Sequence, residues 1–218
     1  MKNDVKQRIL LEASQLIFHY GVKAMTMDEL AKRIGVSKRT IYEHFEDKDA
    51  LLTAICQYHQ KANKTNFKKV LEESSTIIHA MFYWYDKNIA NVSFEKILLL
   101  YDEIKRYHPA VYQKEILKNI NQKIEDTKNI LQLGVKQGVF RKNLDIDIAT
   151  MLLLSFFQQL KDDTDGIRQQ FPIERLHSTY MEIFVRGCCS NKGIQAFEDL
   201  RQLTIDTNKV KTVKKIRR

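Results

Sequence analysis

At 218 residues, 44% apolar and 29% charged, the chain has the composition of one or two ordinary globular domains whose core needs no disulfide or metal staple. Seven Gly and two Pro are too few for the corners of an all-β fold or for a Gly-rich phosphate cradle, which points to an all-α protein. The formal charge of +9 suggests a polyanion partner, but six cations against Asp206 lie within 204–218, leaving only +4 for residues 1–203. Net charge alone therefore does not establish nucleic-acid binding.

No apolar run approaches the roughly 18 to 20 residues of a bilayer span; the best, at 151–157, is broken by Ser155. The first residues are charged and amphipathic, with no leader-like apolar segment, so a cytoplasmic protein without membrane contact is expected. Cys56, Cys188 and Cys189 fit neither a disulfide framework nor a zinc spacing, and read as reduced thiols.

Val5, Ile9, Ala13, Leu16, Ile17 and Tyr20 recur at three- and four-residue intervals, the stripe of an amphipathic helix that Gly21 stops. Thr26 followed by Glu29 is a capping box opening a second helix, which Gly35 ends after about Ile34. Ser37 caps a third helix, Lys38 to about Phe45, and Asp47 a long fourth one. Beyond it the pattern predicts helices near 48–71, 75–91, 93–107 and 109–135, and a turn at 137–140. A further helix is expected from Asp145 or Asp147 to about Leu160, and another from just after Pro172 to Gly187.

Two short helices joined by a tight Gly35 turn form a helix-turn-helix, which presents its second helix to the major groove of DNA. On that second helix Ile41 and Phe45 share the inner side, Lys38 and His44 flank them, and Arg39 and Glu43 point outward with Thr40 and Tyr42 at the edges. An Arg fork can pair with guanine, Thr can meet a base edge, and Lys, Thr and Tyr groups can hold phosphates. The same outer face also suits a simple Arg39–Glu43 surface pair on a generic helical hairpin.

The stretch Thr26–Leu52, with its Gly-Val-Ser-Lys, Tyr, His-Phe, Lys and Leu in order, closely resembles the DNA-binding segment of the TetR/AcrR family of bacterial transcriptional regulators. The resemblance covers about residues 5–52. It implies that Thr26 and Ser37 cap helices near phosphates, that Lys38, Arg39 and Thr40 reach bases or backbone, and that Tyr42, His44 and Lys48 contact the backbone. Phe45 resembles the family's packing aromatic. Arg39 stands where the family commonly has a small residue, and Glu43 places a carboxylate on the DNA-facing surface.

One short reading helix makes few contacts, so a homodimer on two half-sites of a double-stranded operator is expected. The stretch 146–157 is apolar on nearly all sides and 176–187 carries a second stripe. The family resemblance implies that these two helices pair with their symmetry mates, and Leu153, Phe157, Tyr180 and Phe184 are the candidate interface residues. Eight of the 21 aromatics lie between His79 and Tyr112. Among them Phe82, Trp84, Tyr85, Tyr101 and Tyr112 are candidates for a small-molecule effector pocket, although core packing explains any one of them singly.

No catalytic motif, phosphate loop or metal-ligand spacing occurs, so neither an enzyme nor a cofactor is expected. The sequence thus predicts an all-α regulator, a three-helix DNA-binding domain (1–48) joined to a larger effector-binding and dimerisation domain (49–203), with a basic tail (204–218). Repression relieved by the effector is the expected action. The alternatives are a helical ligand-binding or scaffold protein that has lost operator affinity, and a nonspecific nucleic-acid binder acting through its tail, which is itself expected to be dispensable for operator binding.

Overall fold

The computed structural model describes residues 2–85, 94–117 and 120–202. The tail at 204–218 lies outside them. Helices follow one another as α1 (Lys2–Tyr20), α2 (Met27–Ile34), α3 (Lys38–Tyr42), α4 (Lys48–Glu73), α5 (Ile77–Tyr85) and α6 (Phe94–Tyr107). After a short α7 (Pro109–Val111) the chain continues as a π-helical segment (Tyr112–Leu117), then α8 (Ile120–Lys136), α9 (Ile146–Asp162), α10 (Ile167–Gln170), α11 (Ile173–Cys188) and a last helix, α12, over 191–202. Among the described residues no strand forms, and an isolated antiparallel bridge joins Phe140 to Cys189. The all-α expectation is met.

The helix boundaries follow local chemistry. Thr26 Oγ1 accepts from the Glu29 amide at 3.1 Å, Ser37 Oγ from Thr40 at 3.0 Å, Asp47 Oδ1 from Ala50 at 2.7 Å and Asp145 Oδ1 from Ile148 at 3.0 Å, each satisfying an otherwise orphaned amide of a first turn. Gly35 ends α2 at φ 70°, a left-handed conformation that costs glycine little, and its N–H reaches back to Ala31 and Lys32. The third helix is shorter than its sequence pattern suggests. It stops at Tyr42 because the His44 amide turns to the Ile41 carbonyl, three residues back, which brings Phe45 into the core and frees the chain to reach the Asp47 cap.

Two cores organise the packing. The first joins Ile9, Ala13, Leu30, Ile41, Phe45, Leu51 and Leu52 to Ile104, Val111, Tyr112 and Ile116, so the N-terminal helices share one apolar interior with α4, α6 and the π-helical segment. The second gathers Ile77, Ile78, Leu131, Val139, Phe140, Ala149, Val185, Cys188 and Cys189. A smaller group of Leu98, Leu160 and Ile173 links α6, α9 and α11. Close approach of α8 to the 137–140 turn depends on Gly134, where a Cβ would lie 2.1 Å from the Phe140 ring. The helix expected from just after Pro172 to Gly187 is α11, with Gly187 in its last turn.

Candidate nucleic-acid interface

The second helix packs on α1 and the third on α2, and Leu30, Ala31, Ile41 and Phe45 point inward to the core shared with α1 and α4. This leaves Thr26, Ser37, Lys38, Arg39 and Tyr42 exposed and Thr40, His44 and Lys48 partly so, on and around one short helix. The Arg39 side chain retains 89% of its accessible surface, the freest of the cations on this face. Ser37 Oγ and Thr40 Oγ1 lie 2.8 Å apart, so the first turn of α3 is rigid and its hydroxyls are held in one place.

Two of the cations already have acidic partners. Lys38 Nζ donates to Asp28 Oδ2 at 2.8 Å, which raises the lysine's pKa, and Arg39 Nε donates to Glu43 Oε1 at 3.2 Å. Both pairs are exposed and therefore weakly held, and a phosphate or base edge can replace either carboxylate. Such pairs keep extended side chains ordered before a ligand arrives. The Arg39–Glu43 pairing was foreseeable from its i, i+4 spacing; Asp28 with Lys38 was not, because it requires the crossing of two helices.

Lys48 is already engaged within the fold. Its ammonium donates to the backbone carbonyls of Val22 and Met25, each at 2.6 Å, and burial lowers its pKa. An ammonium has three donors, so one N–H remains beyond this lock on the α1–α2 loop. On the opposite side of the loop, the Glu103 carboxylate of α6 accepts from the Val22 amide and, at 3.4 Å, from Lys23. Sequence gave no signal for Glu103, which is 81 residues away from Val22.

The remaining sequence candidates divide. Tyr101 and Tyr112 come together at the first core, where burial raises both phenol pKa values. Phe82 is elsewhere, edge-on to Phe197 of α12 with centroids 6.3 Å apart, because Phe197 packs on the second core. The structure therefore does not gather the aromatic candidates into one group; the side chains of Trp84 and Tyr85 lie outside the described residues. Leu153, Phe157, Tyr180 and Phe184 are all partly buried. Tyr180 stacks on Phe156 at 3.6 Å, lies 6.0 Å from Phe184 and donates its hydroxyl to the Leu152 carbonyl at 2.7 Å, while Phe157 meets His177 at 5.6 Å. These side chains largely join α9 to α11 within one chain. On α9 and α11 the large apolar residues left open to solvent are their neighbours Ile148 (58%), Met151 (50%), Leu152 (59%) and Ile183 (67%). The first three share one stripe of α9 at three- and four-residue spacing, a phase that periodicity alone could not single out because the whole helix is apolar.

Among the described residues, no group of three His, Cys, Asp or Glu could hold a metal ion, and no helix is long and apolar enough to cross a membrane.

A helix-turn-helix whose second helix shows a polar, cationic face, carried on a larger helical body, defines a DNA-binding regulator. Residues 9–55 match the model of the bacterial regulatory proteins of the tetR family. The N-terminal domain belongs to the TetR family, and the chain as a whole has the fold of that family's transcriptional regulators. Among curated relatives, the HTH-type transcriptional regulator YerO of Bacillus subtilis is 34% identical over 71 residues, 33% of this chain and 25% of its own length. That match spans about a quarter of the relative. The HTH-type transcriptional repressor KstR2 of Rhodococcus jostii is 22% identical over 158 residues, 70% of this chain and 76% of its own. A TetR-family transcriptional regulator from Cytophaga hutchinsonii of known crystal structure superposes with a TM-score of 0.67 at 17% identity, covering 88% of this chain and 98% of that one.

Proposed function

We propose that the protein is a homodimeric repressor that binds a palindromic double-stranded operator and is released from it by a small-molecule effector. The observation that carries this reading is the exposed face of α3 and its surroundings, where Lys38, Arg39, Thr40 and Tyr42 project from a helix anchored by buried Ile41. In this reading Arg39 and Thr40 meet base edges, and Thr26, Ser37, Lys38, Tyr42, His44 and the third N–H of Lys48 hold phosphates.

The dimer forms through α9 and α11. Ile148, Met151, Leu152 and Ile183 supply the open apolar area, and Leu153, Phe157, Tyr180 and Phe184 support it from beneath. The effector domain comprises the helices from α4 onward, with Tyr101 and Tyr112 at its ligand-facing interior. Binding there acts on DNA through α6, because Tyr101 lies two residues from Glu103, which holds the α1–α2 loop.

Selection of bound duplexes from a random pool, with the full chain, tests this function. A palindrome with half-sites one helical turn apart, about 10 base pairs centre to centre, or a multiple of it, is expected. A pool without enrichment would favour a helical ligand-binding protein that has lost operator affinity.

A further inference from the structure

Both cations of α3 are matched by a carboxylate. Lys38 Nζ lies 2.8 Å from Asp28 Oδ2, and Arg39 Nε lies 3.2 Å from Glu43 Oε1. Asp28 does not belong to α3: it stands in the first turn of α2 and reaches Lys38 across the turn between the two helices. The Asp28 and Glu43 side chains are each more than half exposed, so the fold buries neither carboxylate. Over residues 38–43 together with Asp28, two positive charges are set against two negative ones.

Folding gives little reason for this balance. Exposed ion pairs contribute little to stability. A carboxylate in the first turn of α2 favours the helix dipole, but Glu29 beside Asp28 already serves that end. Glu43 is the C-cap of α3, the end at which the dipole disfavours a negative charge. For a duplex the balance matters more. A cation held by a carboxylate displaces no counterion from a phosphate until the pair opens, and the carboxylate left behind repels the backbone. Bulk charge does little to compensate, since residues 1–203 carry only +4.

We propose that Asp28 and Glu43 are specificity-determining residues, which hold Lys38 and Arg39 off the phosphates of an unselected duplex and release them only to the operator. This rests on the reading of α3 as the helix that meets DNA. On the operator Arg39 exchanges one carboxylate for the two acceptors of a guanine edge, a bidentate contact stronger than an exposed ion pair. Docking in that register also fixes a phosphate beside Lys38. A random sequence offers neither, so the pairs stay closed and each removes one cation from the phosphate contacts. Discrimination then comes from weakening the wrong complex as well as from strengthening the right one.

The test measures, with the full chain, the salt dependence of binding to a random-sequence duplex and to the duplex enriched by selection. Asp28→Asn should steepen the random-duplex slope by about one per subunit, because the freed Lys38 takes a phosphate, and should tighten that binding about fivefold at about 0.1 M salt. The operator slope should change by less than half as much, so the ratio of operator to random affinity falls several-fold. Glu43→Gln should do the same through Arg39, and it lies on the other helix, so one variant that fails to fold leaves the other to decide. Asp126→Asn is the control: it breaks an exposed pair of the same chemistry, Lys64 Nζ to Asp126 Oδ2 at 3.2 Å between α4 and α8, and should leave both slopes unchanged. Unchanged random-duplex slopes in the folded variants, a ratio that does not fall, or an equal effect of Asp126→Asn overturns the proposal. If the selection returns no palindrome, the random-duplex slopes alone decide whether the two carboxylates restrain binding, so failure of the operator reading and failure of this one remain distinct results.

Discussion

Glu103 and Lys48 grip opposite ends of the same residue: the α6 carboxylate accepts the Val22 N–H, and the α4 ammonium donates to the Val22 carbonyl at 2.6 Å. The α1–α2 loop is thereby clamped between α4 and α6. Gly21, at φ 91°, makes the approach possible, since a Cβ there would lie 2.9 Å from a Glu103 oxygen. A second tie runs parallel to it, His108 Nδ1 to Asp49 Oδ1 at 2.5 Å, between the end of α6 and the first turn of α4. α6 is thus tied by hydrogen bonds, as well as by packing, to the α1–α2 loop and to the start of α4.

Replacing Glu103 by Ala should cost about 1–3 kcal/mol, because the buried Val22 amide loses its acceptor. Urea unfolding reads this directly. Operator affinity should fall along with it, and effector response should weaken more than effector binding. An unchanged midpoint would mean that water replaces the carboxylate without loss.

Lys48→Met should show two separate effects. Stability should fall by about 1–3 kcal/mol, since the Val22 and Met25 carbonyls lose their donor, and the salt slope of DNA binding should fall by about one per subunit if the third N–H meets a phosphate. Loss of stability with an unchanged slope would assign Lys48 to the loop lock alone.

Arg39→Ala should cost about 1–3 kcal/mol on the best site and relax preference at one position per half-site. The companion change Glu43→Gln frees the guanidinium from its partner and should raise affinity for all duplexes. If Glu43→Gln instead loses preference for one base pair, the carboxylate reads cytosine itself.

Ile183→Glu and Leu152→Glu should shift the protein from dimer to monomer in sedimentation at micromolar concentration, because both side chains are open apolar surface on the proposed interface. Leu153→Ala, partly buried within the chain, should lower stability more than it alters assembly. A monomer from the unmodified protein would remove the interface altogether.

Burial pushes the His177 imidazole down to about 4, so the folded protein keeps the ring neutral where the unfolded chain, near 6.5, takes up a proton. The resulting stability is complete above about pH 6.5 and is lost as the pH falls toward 4, by about 2 kcal/mol at pH 5. Urea unfolding at about pH 7.5 and 5 should show this loss, and His177→Phe should reduce it.

Residues close in sequence determined most of the DNA-binding half. Capping hydroxyls and carboxylates act within three residues, Gly35 acts at its own φ, and the phase of a short helix sorts Ile41 inward and Arg39 outward, so Thr26, Ser37 and Asp47 could be placed by inspection. Only the tertiary structure decided which face of α9 stays open, that Phe82 meets Phe197 while Tyr101 packs on the first core, and that Lys48 and Glu103 meet at Val22. A helix that is apolar all round carries no phase to read, and a contact between residues 81 positions apart depends on how whole helices stack.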